Sequence, residues 1–141
     1  MRKLQSVFNQ VVNHLHKQGK QAYSDVYDSC LYLTEDGKRC AVGCLLEIPE
    51  NQQKEAIHFD NAGLEKLKET YPNWLPKNID FNNRIMNSML QMMQEVHDCA
   101  SNWFDRHAMD ESLAYVADRF QLKYTPPKHS NVEDRTHGNS N

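Results

Sequence analysis

Four side chains carry donor or nucleophile chemistry at spacings worth testing: Cys30, Cys40, Cys44 and His97. Three thiolates and an imidazole form a sound zinc set. Cys40 and Cys44 share a face only if their segment is helical, and Cys30 meets Cys40 only across a hairpin of suitable register. The spacing matches no paired Cys-x-x-Cys knuckle. The same residues allow acyl chemistry, with Cys40 as nucleophile and His97 as base. A cysteine at a helix start has a lowered pKa, because the helix dipole favours the thiolate. The run after Cys40 offers no recognisable oxyanion motif. Beside both readings stands packing, since a free cysteine behaves as a small buried hydrophobe.

His97 is followed by Asp98 near the end of a long apolar-striped helix, so its ring is expected to be buried and to need partners on both nitrogens. Neighbouring helical residues diverge by about 100°. Asp98 is therefore expected to leave His97 and turn to another backbone, the amides near Ala41 to Gly43. With Cys40, this predicts a structural clasp between hairpin and helix.

The elements that position these residues follow from pattern. Cys30-Leu31-Tyr32-Leu33 reads as a strand, Thr34-Glu35-Asp36-Gly37 as a turn whose glycine supplies positive φ, and Lys38-Arg39-Cys40 as the return strand. A lone hairpin is marginal in water and needs a cover. The small, uncharged run Ala41-Val42-Gly43-Cys44-Leu45-Leu46 invites close backbone approach, expected here from a crossing helix. Residues 3–18 form the clearest amphipathic helix, with Leu4, Val7, Phe8, Val11, Val12 and Leu15 on one face and Gly19 to end it. His14 and His16 point to different sides of it and are expected in solvent.

Residues 23–29 show no period and read as a loop or helical turn. Gln52 to Ile57 suggests a short helix, and Asn61 a cap for another running to Tyr71, ended by Pro72. Trp74 sits in a proline-flanked connector: buried, it anchors that connector; exposed, it would be a partner-binding residue. Residues 82–102 predict a central helix with two adjoining apolar stripes, one from Ile85 to Trp103 and one from Met86 to Ala100. Five of the six methionines lie between 86 and 109. They read as core filler or as an adaptable groove. Asp110 is the expected cap of a last helix over 111–121. Residues 125–141 are polar and proline-opened, the composition of a disordered tail, which leaves 1–124 as one globular domain.

The chain has 141 residues, a net charge of −3 and 16 scattered lysines and arginines. Such a chain buries about two-thirds of its unfolded surface on folding. The scatter argues against nucleic acid, which asks for a basic patch. No basic-then-apolar leader opens the sequence and no apolar run could cross a bilayer, so the expected compartment is the cytoplasm, without membrane contact. There, cysteines are thiols or metal ligands more often than disulfides.

Three pieces carry a resemblance: Cys30-Leu31-Tyr32, then Asp36-Gly37-Lys38-Arg39-Cys40-Ala41-Val42-Gly43-Cys44-Leu45-Leu46, and Leu90-Gln91 followed by His97-Asp98. In these the chain resembles a group of small bacterial and phage proteins that have no assigned activity. In that group the second piece ends in isoleucine where this chain has Leu46. The likeness spans roughly residues 3–122, and residues 50–80 carry none of it. It implies a fold and a phage or bacterial origin, with the host cytoplasm as the place of action, and transfers no catalytic residue.

Together these readings predict an α+β domain, mostly α, with about four main helices around a two-stranded hairpin. They predict a non-enzymatic accessory protein with a protein partner. The Cys40/His97 hydrolase or transferase and the structural zinc site stand as alternatives.

Overall fold

The computed structural model describes residues 1–59 and 63–126. The fold is mostly helical, with one two-stranded antiparallel hairpin. Helix α1, Leu4–Gln18, buries the predicted face Val7, Phe8, Val11, Val12 and Leu15. Full burial of each such side chain contributes about 1.5–3 kcal/mol. Gly19 closes the helix in the left-handed region, φ 69°, its N–H donating to Leu15 O at 2.9 Å.

The hairpin is not where the pattern put it. Strands β1 (Tyr23–Ser24) and β2 (Ser29–Cys30) pair, Tyr23 opposite Cys30 and Ser24 opposite Ser29. The Asp36-Gly37 turn does form, with Gly37 at φ 88° and Gly37 N–H on Thr34 O. Its arms share only the bridge Leu33 to Arg39. The reason lies in α1. Gln18 uses its side-chain amide as a strand edge, accepting Arg39 N–H and donating to Arg39 O, both at 2.9 Å. His14 adds a second donor to Arg39 O at 2.8 Å. The return arm is thus paired with a helix end, and both histidines of α1 are half-buried, not in solvent.

A 3-10 turn, Gly43–Leu45, follows Cys40. A Cβ on Gly43 would lie 2.1 Å from Tyr32 O, so the close approach the small residues permit is made by the neighbouring extended arm and not by a helix. Short helices α2 (Gln53–Ala56) and α3 (Leu64–Thr70) come next. Gly63 occupies the cap position of α3, and the expected cap, Asn61, lies outside the described residues. Trp74 is fully buried, stacked on Tyr71 with ring centroids 3.8 Å apart and donating from Nε1 to Gln52 at 2.6 Å. It anchors the connector and offers no surface to a partner.

Helix α4, Arg84–Asp98, buries Met86, Met89, Leu90, Met93, Val96 and His97 and packs on α1. It starts at Asn83, whose side chain accepts Met86 N–H. It stops four residues before the pattern does, because side chains satisfy its terminal carbonyls. Asn102 donates to Val96 O at 3.0 Å, and Trp103 and Gln21 donate to His97 O at 2.7 and 3.0 Å. One turn, α5 (Ser101–Phe104), leads to α6, Arg106–Arg119. The cap of α6 is Asp105, accepting His107 N–H, and not Asp110. Met109, Leu113, Val116 and Ala117 make its buried face. Asp110 instead accepts Tyr124 OH at 2.7 Å. Most of the proposed tail, residues 127–141, lies outside the described residues.

Candidate functional site

His97 is completely buried where α4 meets the hairpin. Its Nε2 accepts the backbone N–H of Ala22 at 2.9 Å, which requires that nitrogen to be unprotonated. The proton is therefore on Nδ1, which donates to Asp98 Oδ1 at 2.8 Å. This corrects the expectation that Asp98 turns away: a carboxylate is long enough to fold back over the adjacent ring once the helix ends at that residue. Ala22 O in turn accepts Leu31 N–H at 3.0 Å. One residue, Ala22, thus links the arm that carries Leu31 to the imidazole.

The amides after Cys40 have a different partner from the one expected. Gln94 Oε1 accepts Val42 N–H at 3.1 Å, and Gln94 Nε2 donates to Asp98 Oδ1 at 3.0 Å. The 40–46 segment and α4 are fastened together by Gln94, with Asp98 one bond behind. Gly43 N–H points to Cys40 Sγ at 3.3 Å, and no hydrogen bond to Ala41 N–H is drawn from α4 among the described residues. Asp98 collects two donors, from His97 and Gln94, and the Cys30 thiol lies beside it. It is the centre of the fastening.

This geometry bears on the sequence-based chemistry. Cys40 precedes the short 3-10 turn by two residues and is fully buried, and burial pushes its thiol up to about 12 against the opposing pull of the Gly43 amide. No hydrogen bond joins it to His97 among the described residues, and the lone pair a base would use is already bonded to Ala22. The nucleophile–base pair is not assembled.

The four-residue zinc set is not assembled either. Cys44 directs its thiol to Ala41 O at 3.1 Å, within its own turn. Among the described residues, the donors that converge are Cys30, His97 and Asp98, whose ligand atoms lie within 4.8 Å of one another. His97 does not fit a metal here. With Nε2 already accepting the Ala22 N–H, binding through Nδ1 would strip the ring of its only N–H and leave an imidazolate. That leaves one thiol and one carboxylate, fewer than the three or four protein ligands zinc uses. All four cysteines are free thiols.

Cys30 and Asp98 open onto a shallow cleft of about 340 Å³ that Gln21, Tyr23, Ser29 and Ala100 complete. Ser29 Oγ is out of solvent without a hydrogen-bond partner. Burial pushes the Cys30 thiol up to about 12, and the Asp98 charge adds to the shift. A carboxylate beside a thiol opposes thiolate formation, so the cleft does not activate Cys30.

Sequence reasoning missed the polar connectors Gln18, Gln21 and Gln94. Only Gln94 left a signal, lying four residues before Asp98, where helix side chains meet. Comparison with protein-family models, curated proteins and solved structures gives no match. Among the described residues, no helix is long and apolar enough to cross a membrane.

Proposed function

We propose that the chain acts by binding: a non-enzymatic cytoplasmic accessory protein, a phage or mobile-element factor that modulates a host protein. The observation that carries this reading is the saturated imidazole of His97, with a backbone amide on one nitrogen and Asp98 on the other. An enzyme of the cysteine class needs a thiolate and a free base, and here the histidine and the nearby thiols serve the packing instead. The absence of a basic cluster in the sequence favours a protein partner over nucleic acid. The phage or bacterial origin is supported by the resemblance at residues 30–32, 36–46 and 90–98.

The test combines chemistry with capture. Purified protein is offered activated acyl esters and thioesters, and its metal content is measured. No turnover and no stoichiometric zinc are expected. A photoreactive residue in place of Val26, which is 82% exposed at the hairpin tip, is expected to give one discrete protein adduct in bacterial cells. Turnover lost in Cys30→Ser or Cys40→Ala protein that still folds would overturn the proposal. So would stoichiometric zinc lost in Cys30→Ser.

A further inference from the structure

Asp98 is an anion without a counter-ion. Its side chain is 40% exposed, and its donors are the Gln94 amide and the His97 imidazole. That imidazole is neutral, since its Nε2 accepts the Ala22 N–H. Both donors take Oδ1. Among the described residues, no nitrogen donor reaches Oδ2 and no lysine or arginine pairs with the carboxylate. Its position adds to the imbalance. Asp98 is the last residue of α4, at the negative end of the helix dipole, where a cation is favoured and a carboxylate is not.

The surroundings supply no cation. Residues 21–37, which include the hairpin, hold Asp25, Asp28, Glu35 and Asp36 and no lysine or arginine. Of these, Asp36 is paired with Lys38. Residues 85–105, which include most of α4 and all of α5, hold Glu95, Asp98 and Asp105 and again no lysine or arginine. Lys20 is the nearest cation in sequence. The charged side chains that bear on the Tyr23 hydroxyl and the Cys30 thiol are Asp28, Asp25 and Asp98, and Lys20 is not among them.

The cleft beside Asp98 measures about 340 Å³, at the small end for ligand pockets and roomy enough for one side chain. Tyr23 forms one wall. It stands opposite Cys30 in the ladder and so shares a face of the hairpin with it. Its hydroxyl donates to Asp28, which fixes the ring, and the residue is left 41% exposed.

We propose that this cleft receives an arginine side chain of a protein partner, its guanidinium paired with Asp98 Oδ2 and lying on the Tyr23 ring. A guanidinium is planar and weakly hydrated, so it stacks on an aromatic face while its edge meets a carboxylate. An ammonium is a strongly hydrated point charge and makes the poorer match. The inference rests on the binding reading above for the source of the side chain, because a free guanidinium compound shares the same chemistry.

The probe is the capped tripeptide acetyl-Gly-Arg-Gly-amide, titrated into the isotope-labelled full chain at low salt and followed by backbone amide shifts. A dissociation constant on the order of 1–10 mM is expected for so small a ligand, with the shifts centred on Tyr23, Cys30, Asp98 and Ala100. Replacing the arginine by its neutral isostere citrulline is expected to abolish binding, and replacing it by lysine to weaken binding several-fold. Asp98→Asn keeps an acceptor for the His97 and Gln94 donors and is expected to weaken the peptide roughly tenfold or more. The citrulline comparison needs no variant and decides the matter if Asp98→Asn fails to fold. In cells, the adduct from a photoreactive residue at position 26 is expected to fall several-fold in Asp98→Asn protein. No shifts at about 50 mM peptide, or equal binding of the arginine and citrulline peptides, overturns the site. An adduct that Asp98→Asn leaves unchanged overturns the inference and leaves the binding reading standing. Peptide binding with no adduct in cells overturns the partner as the source, together with that reading, and makes the cleft a site for a free guanidinium compound.

Discussion

The backbone N–H of Ala22 rests on Nε2 of His97 at 2.9 Å, and this contact sets the ring's tautomer, its orientation and its unfitness as a base. It ties the residue just before β1 to the last turn of α4. Asp98 completes the arrangement from the other side, and Gln94 carries it on to Val42. A histidine on an apolar stripe is read as chemistry only until its partners are seen.

Replacing His97 tests this directly. In His97→Phe a somewhat larger aromatic ring takes the place, and the buried Ala22 N–H loses its acceptor. An orphaned buried donor costs about 1–3 kcal/mol, so the urea midpoint should fall accordingly. Asp98→Asn retains an acceptor for Nδ1–H and is expected to cost less than about 1 kcal/mol, because that side chain is partly exposed. Equal midpoints for wild type and His97→Phe would remove the fastening role.

Gly43 is required for a steric reason unrelated to its backbone freedom. A Cβ there would meet Tyr32 O at 2.1 Å and Tyr32 C at 2.9 Å, both backbone atoms that cannot swing aside. Overpacking of this kind costs about 3 kcal/mol. Gly43→Ala should therefore shift thermal unfolding markedly, whereas Gly37→Ala meets no atom within 4 Å and carries only the cost of its positive φ. Indistinguishable melting of wild type and Gly43→Ala would show that the arm at Tyr32 is not so close.

The helices were legible because their apolar faces repeat at the helical period, as α1 and α4 show. The hairpin was misplaced because strand pairing is decided by what else competes for each peptide group. Arg39 looks like a strand residue, yet Gln18 takes both of its backbone groups, and nothing in the sequence near Arg39 announces a glutamine twenty-one residues earlier. The site followed the same logic. That His97 would be buried could be read from its stripe. Its partner Ala22, seventy-five residues away, could not, and that partner decides the chemistry.

His14 supplies a pH test. Burial lowers its pKa from the ordinary 6.5; the hydrogen bond to Arg39 O pulls it back up, and the Arg39 charge lowers it further. In the window between the folded value and 6.5 the unfolded chain binds the extra proton, so acidification favours unfolding. Stability from this group is complete above about 6.5 and declines as the pH falls below it. His14→Gln, which keeps an N–H for Arg39 O, should flatten the fall in stability measured by denaturation between pH ~7 and ~5. An unaltered slope would assign the acid sensitivity elsewhere.

The thiols should react in an order that the fold dictates. Cys99 is exposed, and the Ser101 hydroxyl, helped by the amides of Ser101 and Asn102, holds its pKa below the usual thiol value. Burial holds Cys30, Cys40 and Cys44 near 12. The thiolate is the reacting species, so at mildly alkaline pH the native protein should take up one alkyl group, at Cys99. Cys30 should follow slowly from its cleft, and Cys40 and Cys44 only after unfolding. Peptide mapping of the alkylated protein across a pH series reads this order. Were Cys40 to react in the native state as fast as Cys99, the buried, unactivated thiol described here would be wrong, and with it the case against a cysteine nucleophile.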